Sequence, residues 1–144
     1  TCGHIIWRNG WMGYSSNFTK IGIDMNWMLV FIGGGIGSVL RYFISQQLVF
    51  SKYFPWATLV SNVLATAILA LLVVYLKSED KTSWLLPLIG IGFCGGFSTF
   101  STFSAENVQL FEQGQWALLT VNILLSLGAG FGVFLLISRI NLAN

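Results

Sequence analysis

Charged side chains are scarce in this sequence. Asp, Glu, Lys and Arg together make up only 8% of its 144 residues, whereas 55% of the residues are hydrophobic. A soluble domain of this length carries charge on roughly a quarter of its residues, so this chain cannot cover a surface that faces water. The net charge of +2 is too small to indicate binding of nucleic acid. The composition therefore predicts an integral membrane protein whose partner is the lipid bilayer.

Residue types that carry catalytic and metal chemistry are also few. The one histidine is His4, and the two cysteines lie far apart, Cys2 in a polar N-terminal stretch and Cys94 in an apolar run. The sequence contains no His/Asp/Ser set, no paired carboxylates within an apolar run, no His or Cys cluster and no phosphate-binding loop. These absences argue against an enzyme and against a disulfide framework.

Long apolar runs are what the sequence does supply. Each of four runs is close to the ~20 residues that an α-helix needs to cross the hydrocarbon core, and each begins at a tryptophan, a residue enriched at the membrane–water interface. They cover approximately residues 27–50, 56–76, 84–103 (with room to continue) and 116–137. The predicted fold class is an all-α membrane protein with four transmembrane helices. The short connections predict that consecutive helices are antiparallel neighbours.

The first 26 residues differ in character from the rest. They mix Gly, Ser, Asn and Trp without helical or strand periodicity, and they contain no apolar run of signal-peptide length. We predict a poorly ordered N-terminal extension, residues 1–26, followed by one four-helix transmembrane domain, residues 27–140. An alternative is that the extension is not native and that the natural start is Met25 or Met28.

Glycines recur at a spacing of four in three of the runs: Gly33 and Gly37, Gly92 and Gly96, and Gly128 and Gly132. Small residues at this spacing let membrane helices approach each other closely. We interpret most of these glycines as packing positions.

Polar side chains inside the bilayer are costly unless they are paired or face water, so each one is a candidate functional residue. Asn62 lies in the second run, and Asn122 and Ser126 lie four apart on one face of the fourth. Arg41, late in the first run, has two open interpretations. It either reaches the interface or the C-terminal carbonyls of a helix, or it attracts anions.

The third run contains the segment GGFSTFSTFS, residues 95–104. Glycine has a low helix propensity, and Ser and Thr side chains compete for backbone partners, so this composition predicts a break near the middle of the third helix. Irregular backbone at this depth is tolerated only where it is buried in protein or lines a polar cavity. The freed carbonyls could coordinate a cation, and the freed amides could bind an anion.

Phe100 and Phe103 lie three apart in that segment and share a helix face. The edge of a phenyl ring is electropositive, so two rings presented edge-on could contact an anion. A phenylalanine pair at helical spacing is more commonly a packing or lipid-facing pair. The surrounding hydroxyl residues favour the anion interpretation here.

Three segments of the chain together resemble the CrcB/Fluc family of small fluoride channels. Residues 33–42, GGGIGSVLRY, are similar to the first-helix signature of that family, and residues 56–62, WATLVSN, to its second-helix motif. Residues 95–106, GGFSTFSTFSAE, resemble its third-helix break, which is the most specific of the three motifs. The resemblance extends over roughly residues 28–138. Asn122 departs from the family pattern, because many members have an aromatic hydroxyl there.

The resemblance implies a dimer of two antiparallel subunits in the cell membrane, identical or paralogous, with two fluoride pores and a central Na⁺. It implies that the backbone carbonyls of Gly95 and Ser98 hold the Na⁺. The residues that it places along the fluoride path are Asn62, Phe100, Ser101, Thr102, Phe103, Asn122 and Ser126, with Glu106 at the end of the third-helix hydroxyl track.

We therefore expect a fluoride-selective channel that exports fluoride passively and lowers its cytoplasmic concentration. Fluoride is small and strongly hydrated, so a pore must replace its water with hydrogen-bond donors such as amides and hydroxyls. Two alternatives stay open: a small multidrug or cation exporter, and a non-conducting membrane assembly subunit. Residues 27–50 contain no acidic residue for proton exchange, which argues against the exporter. The polar set around Asn62 and Phe100 argues against the non-conducting subunit.

Overall fold

The computed structural model describes residues 20–48, 54–78 and 84–140, with side chains in 25–48, 54–76 and 84–139. These residues are helical apart from short connections, and they contain no strand. The helical elements are α1 (Lys20–Gln47), α2 (Trp56–Ser78), a π-helical segment (Leu86–Phe93), α3 (Cys94–Phe97), α4 (Phe100–Glu112) and α5 (Trp116–Ile140).

These elements supply four spans long and apolar enough to cross a membrane, which confirms the four predicted transmembrane helices. The spans are Met25–Gln47, Trp56–Leu76, Leu86–Glu112 and Trp116–Arg139. Hydrocarbon offers no hydrogen bonds to the backbone, so helices are the structure that an apolar run of this length adopts in a bilayer. The chain is a multi-pass membrane protein.

The first helix is longer than the sequence analysis predicted. It begins at Lys20, so residues 20–26, which were assigned to the N-terminal extension, are helical. The remainder of that prediction falls on residues 1–19, outside the described part of the chain.

The largest helix contacts join alternate spans. α1 packs against the π-helical segment and α3, and α2 packs against α5. Consecutive spans also touch, as the short connections predict, but the contact between α1 and α2 is small. The third span therefore lies between α1 on one side and α2 on the other. This position brings the polar third-span segment against side chains of two helices.

Glycines allow α1 and the third span to approach to backbone contact. A methyl group added at Gly92 would lie 2.8 Å from Val30 O, and one added at Gly96 would lie 3.0 Å from Gly34 Cα. Added carbon atoms at Gly33 and Gly37 would likewise collide with the third-span backbone. The packing interpretation is therefore confirmed for the first two glycine pairs.

The third glycine pair behaves differently. A methyl group added at Gly128 or Gly132 meets no atom within 4 Å, so these glycines do not serve packing within one subunit. In the most apolar stretch of the fourth span, only 6% of the residues are buried inside the subunit. This helix therefore keeps a large apolar surface for lipid or for a second subunit.

Candidate functional site: the polar interruption of the third span

Helical geometry is interrupted for two residues in the third span. α3 ends at Phe97, Ser98 (φ −80°, ψ 157°) and Thr99 (φ −150°, ψ 117°) are extended, and α4 begins at Phe100. The two extended residues lie within residues 95–104, where the sequence predicted a break. The axis of the span bends by only 17°, so a break in the direction of the helix is not confirmed. The interruption is therefore local. Its backbone N–H and C=O groups need hydrogen-bond partners from outside the helix.

The side-chain amide of Asn62 binds both backbone groups of Thr99. Thr99 N–H donates to Asn62 Oδ1 at 2.7 Å, and Asn62 Nδ2 donates to Thr99 O at 3.3 Å. A backbone N–H can only donate and a carbonyl can only accept, so these two bonds fix the orientation of the amide. Asn62 therefore acts as a clamp from α2 on the extended segment, and one N–H of its amide remains for another acceptor.

The Thr99 hydroxyl caps the N-terminus of α4. Its oxygen accepts a hydrogen bond from Thr102 N–H at 3.1 Å, as an N-cap residue does. It also donates to Thr102 Oγ1 at 3.0 Å and lies 3.1 Å from Ser101 Oγ. Ser101 and Thr102, which were predicted as a hydroxyl track, thus lie in one cluster around this cap.

Two carbonyls at the interruption lose their usual helical donors. In a continuous helix Gly95 O would accept from Thr99 N–H, which donates to Asn62 Oδ1 instead. Ser98 O would accept from Thr102 N–H, which donates to Thr99 Oγ1. Carbonyl oxygens are hard ligands suited to a small alkali cation. Gly95 O and Ser98 O, the carbonyls named in the Na⁺ prediction, are thus among the carbonyls that lose a helical donor at the interruption.

Arg41 and Ser38 bind a neighbouring carbonyl from α1. Arg41 Nε donates to Gly96 O at 3.1 Å, and Ser38 Oγ lies 3.4 Å from the same oxygen. Gly96 is in the last turn of α3. Arg41 thus binds a helix C-terminal carbonyl, and its role in attracting anions stays a prediction. Its positive charge lies beside the interruption.

The two phenylalanines differ in exposure. Their ring centroids are 6.0 Å apart with planes tilted by 40°. Phe100 is 80% exposed within the subunit, whereas Phe103 is half-buried. The Phe100 ring therefore faces the surroundings of the subunit, whereas the Phe103 ring packs partly against the subunit's own helices.

Glu106 is paired with a residue that the sequence analysis did not select. Thr58 Oγ1 donates to Glu106 Oε1 at 2.6 Å, and Thr58 is buried. Glu106 Oε2 is buried without a hydrogen-bond partner among the described residues, and so is Ser61 Oγ, three residues from Thr58 on α2. The predicted end of the third-span track is thus held against α2.

A second polar group joins α4 to α5, and it includes Asn107, which the sequence analysis missed. Asn107 Nδ2 donates to Phe103 O at 2.8 Å, Asn122 Nδ2 donates to Asn107 Oδ1 at 3.0 Å, and Ser126 Oγ lies 3.5 Å from Asn122 Oδ1. Asn122 is 1% exposed. The signal in the sequence was an asparagine four residues after Phe103, at the spacing where a side chain reaches the carbonyl of the preceding helical turn.

Comparison of the sequence with known proteins assigns the chain to a family. Residues 28–137 match the family described as CrcB-like protein, Camphor Resistance (CrcB). The chain belongs to the CrcB family. The CrcB match includes every predicted site residue, from Arg41 to Ser126.

Individual CrcB relatives are similar over most of their length. A "Fluoride-specific ion channel FluC" of Azobacteroides pseudotrichonymphae is 43% identical over 114 residues, 75% of this chain and 89% of the relative. Proteins of the same name from Pyrococcus abyssi and Pyrococcus horikoshii are 42% and 41% identical, over 67% and 77% of this chain and 79% and 94% of the relatives. The similarity therefore extends over 79% to 94% of each of these relatives.

Proposed function

We propose that this protein is a fluoride-selective channel that lets fluoride leave the cell passively across the cell membrane. The observation that carries the proposal is the similarity of about 40% identity, over most of each chain, to relatives named as fluoride-specific ion channels. Channels are not enzymes, and the protein's own chemistry is limited to replacing the water around the ion. Amide and hydroxyl donors near Thr99 and between α4 and α5 suit that task.

A direct test is fluoride efflux from liposomes. The purified chain is reconstituted into vesicles loaded with potassium fluoride, and release is followed with a fluoride electrode after valinomycin is added. We expect rapid fluoride release, and retention of chloride in matched vesicles. Release no faster than from protein-free vesicles would favour the non-conducting subunit. Cation transport driven by a proton gradient would favour the exporter.

We further propose an antiparallel dimer, formed with a second copy or with a paralogue, in which the interrupted third spans meet near the membrane centre. Three surfaces that are open in one subunit support this arrangement: the Phe100 ring, the Gly128/Gly132 face and the position beside Gly95, where an added methyl group meets no atom within 4 Å. Carbonyls freed at Gly95 and Ser98 would hold a structural Na⁺ there. The ion would supply fixed positive charge between two segments rich in carbonyl oxygens.

The dimer proposal predicts two opposite orientations in one membrane. With Cys2 and Cys94 replaced by serine, Gln113→Cys places a single thiol in the exposed turn between the third and fourth spans. For a homodimer, we expect an impermeant thiol reagent to label about half of this thiol in intact cells and the remainder only after the cells are permeabilised. A heterodimer would label from one side and co-purify with its paralogue. Cross-linking that yields only parallel dimers, or a monomer that conducts, would overturn the proposal.

We predict that replacing either phenylalanine of the aromatic pair by a side chain without a ring reduces conduction. Phe100→Ile and Phe103→Ile roughly keep the side-chain volume but remove the electropositive edge. We expect each change to lower fluoride efflux by about tenfold or more, the factor that ~1.4 kcal/mol adds to a barrier. Phe31→Ile is the control, because Phe31 is similarly exposed, at 83%, but lies on α1. The Phe31→Ile variant should conduct like the parent. If both variants conduct like the parent, the rings serve packing only.

A further inference from the structure

Three hydrogen bonds, one of which joins α5 to α4, run in one direction. Ser126 Oγ donates to Asn122, Asn122 Nδ2 donates to Asn107, and Asn107 Nδ2 donates to Phe103 O. We call these four residues the amide chain. It begins on the fourth span and ends on the backbone of a pore candidate in the third.

One carbonyl determines that direction. Phe103 O can only accept, so the Asn107 amide must turn its nitrogen toward it. The oxygen of Asn107 then accepts from Asn122, which turns the Asn122 nitrogen toward α4 and leaves its oxygen for Ser126. Neither amide can flip without losing a bond to its neighbour. Each amide thus has its oxygen engaged as an acceptor and keeps one further N–H.

An asparagine side chain normally offers an oxygen and a nitrogen equally, and so does not distinguish anions from cations. In the amide chain each oxygen already accepts a hydrogen bond from a neighbouring side chain, which fixes the orientation of each amide and with it the direction of its second N–H. A small anion needs such donors in place of its water. The burial of Asn122 makes its orientation consequential, because an amide with an unpaired oxygen is costly where water is excluded.

We infer that Asn107 is a positioning residue of the ion path. It fixes the orientation of the Asn122 amide by accepting from its nitrogen, and it binds the backbone oxygen of Phe103 through the same side chain. The inference deepens the proposed function and rests on it. It adds Asn107 to the predicted path and assigns Asn122 an orientation as well as a location.

The test separates conduction from folding in one efflux assay. At protein densities below one dimer per vesicle, the fraction of trapped fluoride released reports how many folded channels were incorporated. The time constant of release reports the rate through each channel. We compare the parent with Asn107→Leu, with Asn122→Leu and with the double variant. Each leucine roughly keeps the side-chain volume but removes one partner of the hydrogen bond between Asn122 and Asn107. Ser104→Ala is the matched control, because Ser104 Oγ donates to Phe100 O at 2.9 Å on the same helix without reaching another span.

We expect Asn107→Leu and Asn122→Leu each to slow release about tenfold at an unchanged released fraction. The double variant should be no slower than the slower single variant, because residues that act through one chain are not additive. Ser104→Ala should match the parent. If Asn107→Leu fails to incorporate, Asn107→Ala takes its place, because it removes the same two hydrogen bonds without adding an apolar side chain of that size.

Two results would contradict the inference. Asn107→Leu with a normal time constant, or with only a reduced released fraction, would make Asn107 a structural residue, while conduction by the parent would leave the proposed function intact. A parent that releases no fluoride would overturn the proposed function and this inference together.

Discussion

Asn62→Asp is expected to abolish fluoride efflux in a chain that still folds into four spans. The Asn62 amide donates to Thr99 O and accepts from Thr99 N–H. A carboxylate keeps the acceptor but loses the donor, and it places negative charge against a carbonyl oxygen in the path of an anion. Uncompensated burial of a carboxylate costs several kcal/mol, and each ~1.4 kcal/mol added to a barrier is tenfold in rate. We therefore expect efflux to fall by roughly a hundredfold or more.

The control for this variant lies one turn away. Thr66 Oγ1 donates to the backbone oxygen of Asn62 at 2.8 Å, so Thr66→Val removes a hydrogen bond of the same helix while leaving the amide clamp and side-chain volume in place. Efflux and the amount of monodisperse dimer are measured for both variants. A well-folded Asn62→Asp dimer that releases fluoride at the parental rate would remove Asn62 from the pore.

Gly95→Val is expected to abolish both Na⁺ dependence and efflux, whereas Ser98→Ala should retain both. The proposed ligands are main-chain carbonyls, so Ser98→Ala removes only the hydroxyl that donates to Cys94 O at 2.8 Å, and Ser98 N–H still binds that carbonyl at 2.9 Å. Within the subunit a Cβ at Gly95 meets no atom within 4 Å. The first added carbon therefore has room within the subunit, and we attribute the expected loss in Gly95→Val to the ion site or to the second subunit.

Thermal stability provides a readout that does not depend on conduction. The melting temperature of each dimer in detergent is compared in sodium chloride and in N-methyl-D-glucamine chloride. The parent and Ser98→Ala should be more stable with sodium, and Gly95→Val should show no difference. Gly35→Val, at another glycine with open space around it, is the control and should behave like the parent. A parent indifferent to sodium would remove the ion from the proposal, and a sodium-stabilised Gly95→Val would move the site elsewhere.

Part of the candidate site was predictable because its signal is local. Asn62, Asn122 and the hydroxyl-rich segment after Gly96 interrupt apolar runs, and such residues require a partner or a polar path wherever the helices pack. Asn107 was missed because it lies near the C-terminal end of the third span, where polar residues are common. Its importance comes from Asn122, fifteen residues later, which uses it as an acceptor.

The sequence by itself determined the four apolar spans. Hydropathy and helix propensity are properties of neighbouring residues, and the bilayer converts them directly into helices. The tertiary structure decided which polar groups meet: Asn62 with Thr99, Arg41 with Gly96, and Asn122 with Asn107. These pairs depend on the rotation and depth of each helix, which are set by close contacts between residues distant in sequence, such as Gly34 and Gly96.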